Sequence, residues 1–258
     1  MNKKIQIFLF LIILFLPVVS HCQKKQWDQK ELSDISVLLF RKVNDTSGKT
    51  GTGTIIHYED RYFLLTAAHV AKDMDSQSQV VFSVGNDKPF IKDLKQLTLN
   101  KNIIWNTHDV ADISLIELRI PEDTILKNRY IKLAFPINQI YFGKDLPSRS
   151  ADITFFGYPL IDLKMEHFSA LTFTAYICSG LITQYRGDIK IKSTFFYLNS
   201  PSIQGCSGSG VFFSVLKDMY LGGDTTLLIG IMHGTYSDNT GGKIAAITPA
   251  FYILDLIQ

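Results

Sequence analysis

Ser207 stands among glycines in the run Gly205-Cys206-Ser207-Gly208-Ser209-Gly210. A serine hydroxyl attacks well only if a base takes its proton as it does so. The attacked group then needs hydrogen-bond donors aimed at the oxygen that gains charge. Glycines let the backbone turn sharply and approach a substrate closely, and in such a turn the N–H groups of Gly205 and Ser207 can point at one spot. A glycine–serine cluster alone is more often an ordinary turn. Two other segments change that balance. Leu64-Leu65-Thr66-Ala67-Ala68-His69-Val70 places a histidine at the end of an apolar run. An imidazole titrates near neutral pH and suits a general base. Asp112-Ile113-Ser114-Leu115-Ile116 places an aspartate at the start of another run. Such a carboxylate can hold the imidazole's tautomer and stabilise its charge.

The order His, Asp, Ser along the chain is that of chymotrypsin-like enzymes. The sequence resembles the trypsin-like (chymotrypsin-fold) serine proteases, and is closer to the bacterial glutamyl endopeptidases and high-temperature-requirement proteases than to digestive trypsins. The pieces that carry the resemblance run in family order from about residue 36 onward. They are Gly51-Thr52-Gly53-Thr54-Ile55-Ile56, Leu65-Thr66-Ala67-Ala68-His69, Asp112-Ile113-Ser114-Leu115-Ile116, Gly157-Tyr158-Pro159, Gly205-Cys206-Ser207-Gly208-Ser209 and Gly230-Ile231-Met232-His233-Gly234. The resemblance implies an acyl-enzyme serine endopeptidase with His69, Asp112 and Ser207 as its triad. Gly205 and Ser207 would supply the oxyanion hole. The other five histidines, His21, His57, His108, His167 and His233, lack the Thr-Ala-Ala lead-in. Asp109 competes with Asp112 for the third place. The family pattern is an acid followed by an aliphatic, a small residue and two aliphatics, which Asp112 satisfies. Starting the pattern at Asp109 would drive the charge of Asp112 into the core, which is costly without a partner.

Two departures from the digestive enzymes bear on mechanism. Those enzymes carry an acid immediately before the nucleophile, to pair with a new N-terminus after zymogen cleavage; Cys206 stands there instead. Trypsins also place an acid six residues before the serine, a position held here by Pro201. Pro201, Ser202, His233 and Gly234 are the expected substrate-pocket residues. They offer no anion for a Lys or Arg side chain, whose burial would cost its hydration. Glutamyl endopeptidases and related picornaviral proteases line this pocket with the histidine of a Gly-Ile-His pattern. Here His233 is displaced by one residue, which in a strand turns a side chain to the opposite face.

The elements that must position these residues read as short apolar runs separated by turn residues, an all-β signature. Runs over 36–40, 53–58 and 62–66 read as strands, with Glu59-Asp60-Arg61 as the turn between the last two. One helical turn over 67–73 would carry His69. Residues 80–84, the stretches around Leu97 and 103–105, and 113–118 continue the first set. A second set covers 153–156, 171–176, 180–184, 190–198, 210–214, 226–231 and 243–247, with a hairpin turn at Leu221-Gly222-Gly223-Asp224. Thr248-Pro249 reads as an N-cap and first helical position, followed by a closing helix to residue 257. The resemblance turns these strands into two six-stranded antiparallel barrels with a short C-terminal helix. The first barrel would span about 35–120, the crossing about 121–150 and the second barrel about 151–247, with the helix at 248–258. The active site would lie in the cleft between the barrels.

The 258 residues, 46% of them hydrophobic and 12% aromatic, suffice for a real core. Lys3 and Lys4 followed by an uncharged run from Ile5 to Val19 read as a signal peptide over 1–22. Residues 23–34 would then form a polar N-terminal arm, either a short helix or a loose segment. The expected location is exported, periplasmic or secreted, with an uncleaved anchor as the rival. Loss of the first 22 residues takes the 26 basic side chains to 24, equal to the 24 acidic ones. A neutral chain offers no footprint for nucleic acid or an anionic membrane. The expected partner is a peptide or protein substrate, with no cofactor, no metal and no stable membrane span. Cys178 and Cys206 remain after export, as a pair or as two thiols. Two non-enzymatic readings stay open: a trypsin-fold binding module of the cell envelope that lacks catalysis, and a signal-anchored structural protein.

Overall fold

The computed structural model describes residues 26–44, 47–84, 88–100, 102–149, 151–159, 167–215 and 225–257. The signal peptide and the turn at Leu221–Asp224 fall outside them. In chain order the strands are β1 (Ser36–Lys42), β2 (Gly48–Tyr58), β3 (Arg61–Thr66), β4 (Gln79–Val84), β5 (Lys88–Asp93), β6 (Asn106–Thr107), β7 (Ser114–Leu118) and β8 (Phe135–Pro136). The second series is β9 (Asp152–Gly157), β10 (Leu171–Tyr176), β11 (Ile182–Tyr185), β12 (Lys192–Leu198), β13 (Gly210–Val215), β14 (Thr225–Ser237) and β15 (Lys243–Pro249).

The first sheet runs β5-β4-β1-β2-β3-β7-β6, with β8 added parallel to β2. The second runs β10-β9-β13-β14-β15-β12-β11, with antiparallel neighbours throughout. An isolated bridge Thr98↔Leu118 ties the segment after β5 to β7, and Ile177↔Leu198 ties the end of β10 to β12. These bridges draw the sheet ends together, so the all-β, two-barrel architecture holds. The strand number departs from six and six. The two-residue strands β6 and β8 and the hairpin β11–β12 extend the described sheets to eight and seven.

Several elements differ from the sequence reading, each for a physical reason. β2 begins at Gly48 rather than Gly53, because β1 pairs with it along its whole length, from Ser36↔Thr54 to Lys42↔Gly48. Residues 94–97 form a helical turn and 103–105 no strand. Leu94 and Leu97 are buried as the inward side of that turn, where the sequence suggested strand alternation. The crossing contains a helix, Thr124–Leu133, whose N-cap Asp123 accepts from the N–H groups of Ile125 and Leu126 at 2.9 and 3.1 Å. The closing element is a 3-10 helix, Ala250–Asp255; Thr248 is the buried end of β15 and does not cap it. Of the two forms expected for the polar 23–34 segment, its described part takes the short helix. Asp28 and Glu31 form a capping box for the helix Gln29–Ile35, which buries Leu32 and Ile35.

The core lies mainly in two clusters. One is built on Val37, Leu39, Ile56, Phe63, Leu65, Phe82 and Phe135, and reaches into the second half through Phe156, Phe212 and Leu228. The other fills the second barrel with Phe155, Phe196, Val211, Ile229 and Ile247. Trp27 joins the first cluster at 5% exposure, stacking on Phe135 at 5.2 Å. Its backbone N–H donates to Thr226 Oγ1 at 3.0 Å and its ring N–H to Gln139 Oε1 at 3.2 Å. Gln139 in turn donates to the Thr226 carbonyl at 2.9 Å. One side chain thus fastens the N-terminal segment, the crossing and β14 together. Trp27→Ala removes a large buried ring and strips a buried amide of a donor. It should cost about 3–5 kcal/mol of stability in urea unfolding. A loss under about 1 kcal/mol would show that the segment is not part of the core.

The loop between β12 and β13 is pressed against the first barrel. Gly208 has φ +87°, and a Cβ there would lie 2.1 Å from Thr66 Oγ1 and 2.2 Å from the Thr52 carbonyl oxygen. Only glycine fits both the conformation and the gap. Gly208→Ala should lower the unfolding midpoint, with a loss of about 2 kcal/mol or more. An unchanged midpoint would mean that the two barrels are not in contact there.

Candidate active site

Three stretches of chain, around His69, Arg186 and His233, converge on Asp112. His69 lies in the first turn of the helix Ala68–Asp73, directly after β3, and Asp112 lies just before β7. Because β3 and β7 are paired, with Thr66↔Ser114 in register, the two residues face each other at the same end of the sheet. Asp112 is fully buried, and its carboxylate accepts from four donors. Oδ1 takes the His69 backbone N–H at 3.0 Å and an Arg186 N–H at 3.1 Å. Oδ2 takes His69 Nδ1 at 2.7 Å and His233 Nδ1 at 2.5 Å. An ionised carboxylate only accepts, so both imidazoles must carry their proton on Nδ1. For His69 this leaves the Nε2 lone pair free to take a proton.

The electrostatics follow from these contacts. Burial by itself would push the Asp112 carboxyl up, but hydrogen bonds from His233 and His69 hold it far below the usual carboxylate range. Burial disfavours a charged His69, yet the hydrogen bond and charge of Asp112 more than offset it, and the imidazole is raised above 6.5. Asp112 is therefore an anion at neutral pH. Asp109, the rival acid, is exposed on the preceding loop.

The Ser207 loop is locked between the barrels. Its carbonyl accepts from Thr52 N–H at 2.8 Å, and Thr52 Oγ1 donates to the Gly205 carbonyl at 2.7 Å. Gly208 N–H donates to the Met232 carbonyl, and Met232 N–H to that of Ser209, at 2.8 and 2.9 Å. Thr54 Oγ1 accepts from Gly210 N–H at 3.0 Å, and Ser209 Oγ donates to the Phe156 carbonyl. Gly205 has φ +99°, and a Cβ there would lie 2.7 Å from the Tyr158 carbonyl oxygen. Among the described residues nothing accepts from the N–H of Gly205 or of Ser207. The Ser207 hydroxyl rests on the His233 carbonyl at 3.2 Å, and no described hydrogen bond joins it to His69. Attack would require a turn of the hydroxyl from that carbonyl toward the imidazole.

The tentative pocket residues divide. Thr235 Oγ1 donates to the Ser202 carbonyl at 2.7 Å, so the 201–202 segment and the 234–235 end of β14 adjoin. Pro201 is exposed, and Gly234 faces open space where a side chain would stand. His233 points its ring at Asp112. The β14–β15 register slips between Met232 and Gly234, which makes His233 the extra residue of a bulge and re-aims its side chain. Period-two counting along a strand cannot see such a bulge. Arg186 was missed for a similar reason. It sits in an ordinary-looking hairpin turn, 74 residues from its partner in sequence. Cys178 and Cys206 are both free; Cys206 is buried, which pushes its thiol up to about 11, and Cys178 is exposed.

His69, Asp112 and His233 present ligand atoms within 4.8 Å of one another. Two ligands on a tetrahedral metal at about 2.1 Å each would stand roughly 3.4 Å apart. The N···O separations here are 2.7 and 2.5 Å, the spacing of shared protons. Arg186 adds a positive charge on the same carboxylate. The cluster fits hydrogen-bonded imidazoles around an anion better than a metal centre. No helix among the described residues is long and apolar enough to cross a membrane.

No protein-family profile matches the sequence, and no curated protein matches it. Its fold is similar to solved structures. The MamO protease domain from Magnetospirillum magneticum aligns with TM-score 0.58 at 14% identity, over 88% of this chain and 98% of that one. The Rv3671c protease from M. tuberculosis, in its active form, aligns with TM-score 0.52 at 17% identity, over 87% and 80%. The HtrA-type protease AlgW, solved with a tripeptide, aligns with TM-score 0.54 at 15% identity, over 89% of this chain but only 60% of that one. Identities this low speak to architecture alone, and the architecture of this chain is that of the chymotrypsin-fold serine proteases.

Proposed function

We propose that this chain is a serine endopeptidase, exported under the direction of its N-terminal segment. The observation that carries the reading is the buried, ionised Asp112 holding His69 in the Nδ1–H tautomer, beside a serine loop with two unused N–H groups. In the proposed reaction Ser207 Oγ turns to His69 and attacks a substrate carbonyl carbon as Nε2 takes its proton. The resulting imidazolium is stabilised by Asp112. The oxyanion is received by the N–H groups of Gly205 and Ser207. His69 then returns the proton to the leaving amine, and an acyl-enzyme remains on Ser207. Water, deprotonated by His69, hydrolyses that ester and restores the hydroxyl. Ser202 and Thr235 are neutral and polar, so neither offers an ion-pair partner to a substrate Lys or Arg.

The resting Ser207 hydroxyl on the His233 carbonyl favours a second reading, a trypsin-fold binding module without catalysis. A fluorophosphonate probe separates the two. The endopeptidase should take up the probe at Ser207 and cleave a peptide library without preference for Lys or Arg. Ser207→Ala should abolish labelling and lower hydrolysis about a thousandfold or more. Undiminished hydrolysis in that variant would refute the assignment, and no labelling of the unmodified chain would support the binding module.

A pH profile follows from the electrostatics. His69 must be neutral to act as a base, and its folded-state value is raised above 6.5. The acidic limb of kcat/KM should therefore lie above pH 6.5, with activity falling as pH drops through it. A limb well below 6.5 would show that Asp112 does not govern His69.

A further inference from the structure

The hairpin between β11 and β12 carries a charge pair into the active site. Its turn is closed by Arg186 N–H on the Ile191 carbonyl and Lys190 N–H on the Arg186 carbonyl, both at 2.9 Å. Arg186 is only 3% exposed, which a lone cation could not tolerate. Its guanidinium is spread over three acceptors. Nε and one terminal nitrogen grip Asp188 at 3.0 and 2.6 Å. The same terminal nitrogen reaches Asp112 Oδ1 at 3.1 Å, and the other donates to the Val110 carbonyl at 3.2 Å. The fork-like grip on Asp188 is the geometry of a strong ion pair.

The arithmetic of charge gives this arrangement its meaning. With neutral histidines the group comprises two anions, Asp112 and Asp188, and one cation, Arg186. Arg186 alone would cancel the field of Asp112 at His69. With Asp188 present one negative charge is left over, and it is balanced when His69 becomes an imidazolium. We propose that Arg186 and Asp188 are positioning residues of the site: Arg186 fixes the Asp112 carboxylate from the second barrel, and Asp188 neutralises Arg186 so that Asp112 keeps its charge for His69. This role rests on the endopeptidase reading above. The electrostatic directions agree with it. Asp188 acts to raise His69 and Arg186 acts to lower it. Asp188 itself is held low; burial opposes this, but the Arg186 hydrogen bond and charge prevail.

Other titratable and charged groups also surround His69. His233 faces it across Asp112, with ring centroids 5.7 Å apart. Lys72, His108, Asp109, Arg186 and Asp188 line a 560 Å³ cavity together with His69. His108 is engaged by Asp255 at 3.0 Å. Of these, only the Arg186–Asp188 pair touches Asp112 through a charge of fixed sign.

The test is the NMR titration of the His69 imidazole in the full chain, assigned with a His69→Gln variant, together with the pH profile of kcat/KM. Asp188→Asn should move the His69 midpoint and the acidic limb down by about one pH unit, a tenfold change in the ratio of protonated to neutral imidazole at fixed pH. Arg186→Gln should move both up by a similar amount. A purely structural role would lower activity in both variants without opposite shifts. Asp188 is partly exposed, so its variant decides the matter even if Arg186→Gln does not fold. No shift, or shifts of the same sign, would overturn the charge-balancing role while leaving the endopeptidase reading intact. Failure of Ser207 to label in the unmodified chain would overturn that reading, and the catalytic role of the pair with it.

Discussion

A carboxylate removed from water is tolerated only when its lone pairs are filled by donors, and Asp112 is the point at which this constraint organises the molecule. Two of its donors come from the first barrel, the backbone and ring N–H of His69. The other two come from the second, through His233 on β14 and Arg186 on the β11–β12 hairpin. Separating the barrels would strip that carboxylate of two of its four donors. The site therefore doubles as a fastening between the halves. The Nδ1–H tautomer of His69 follows from the same demand, because an ionised carboxylate has nothing to donate.

The Ser207 loop is fixed by a second set of cross-barrel contacts, made mostly by threonines of β2 and β3. Thr52 binds the loop through its N–H and its hydroxyl, and Thr54 accepts from Gly210. Thr66 donates to the Thr52 carbonyl at 2.7 Å and closes over Gly208. These hydroxyls are buried polar groups, and each is satisfied by a backbone partner. The Gly-Thr-Gly-Thr run in β2 thus has a role beyond its strand. Its glycines admit neighbouring apolar side chains, and its threonines hold the loop that carries Ser207.

The charge around Asp112 is shared over several groups. Asp112 serves two imidazoles through one oxygen, and a guanidinium through the other. Asp188 offsets the guanidinium, so the group has one surplus negative charge rather than none. The extra cation and the extra anion belong together: either alone would change the basicity of His69, whereas the pair leaves it above its ordinary value. A bulge on β14 and a tight turn after β11 are what bring these side chains to the carboxylate.

The sequence by itself determined the all-β class and the strands that flank the candidate triad. Short apolar runs between turn residues have few other solutions, and β3 and β7 lie where the runs end in His69 and begin after Asp112. It also marked Asp112 over Asp109, since only one of them could head an apolar strand without burying the other. Tertiary structure alone decided the partners of that carboxylate. Pairing across 74 and 121 residues leaves no periodic trace, and a one-residue bulge reverses the face that strand alternation assigns to His233. The same holds for Trp27. Its segment reads as a polar short helix or loose arm, yet its ring is buried, with Gln139 of the crossing accepting from the ring N–H and Thr226 of β14 from the backbone N–H. Local pattern reports how each residue prefers to sit along its own element; which distant element meets it depends on the packing of the whole chain, where a buried charge or ring must find its match.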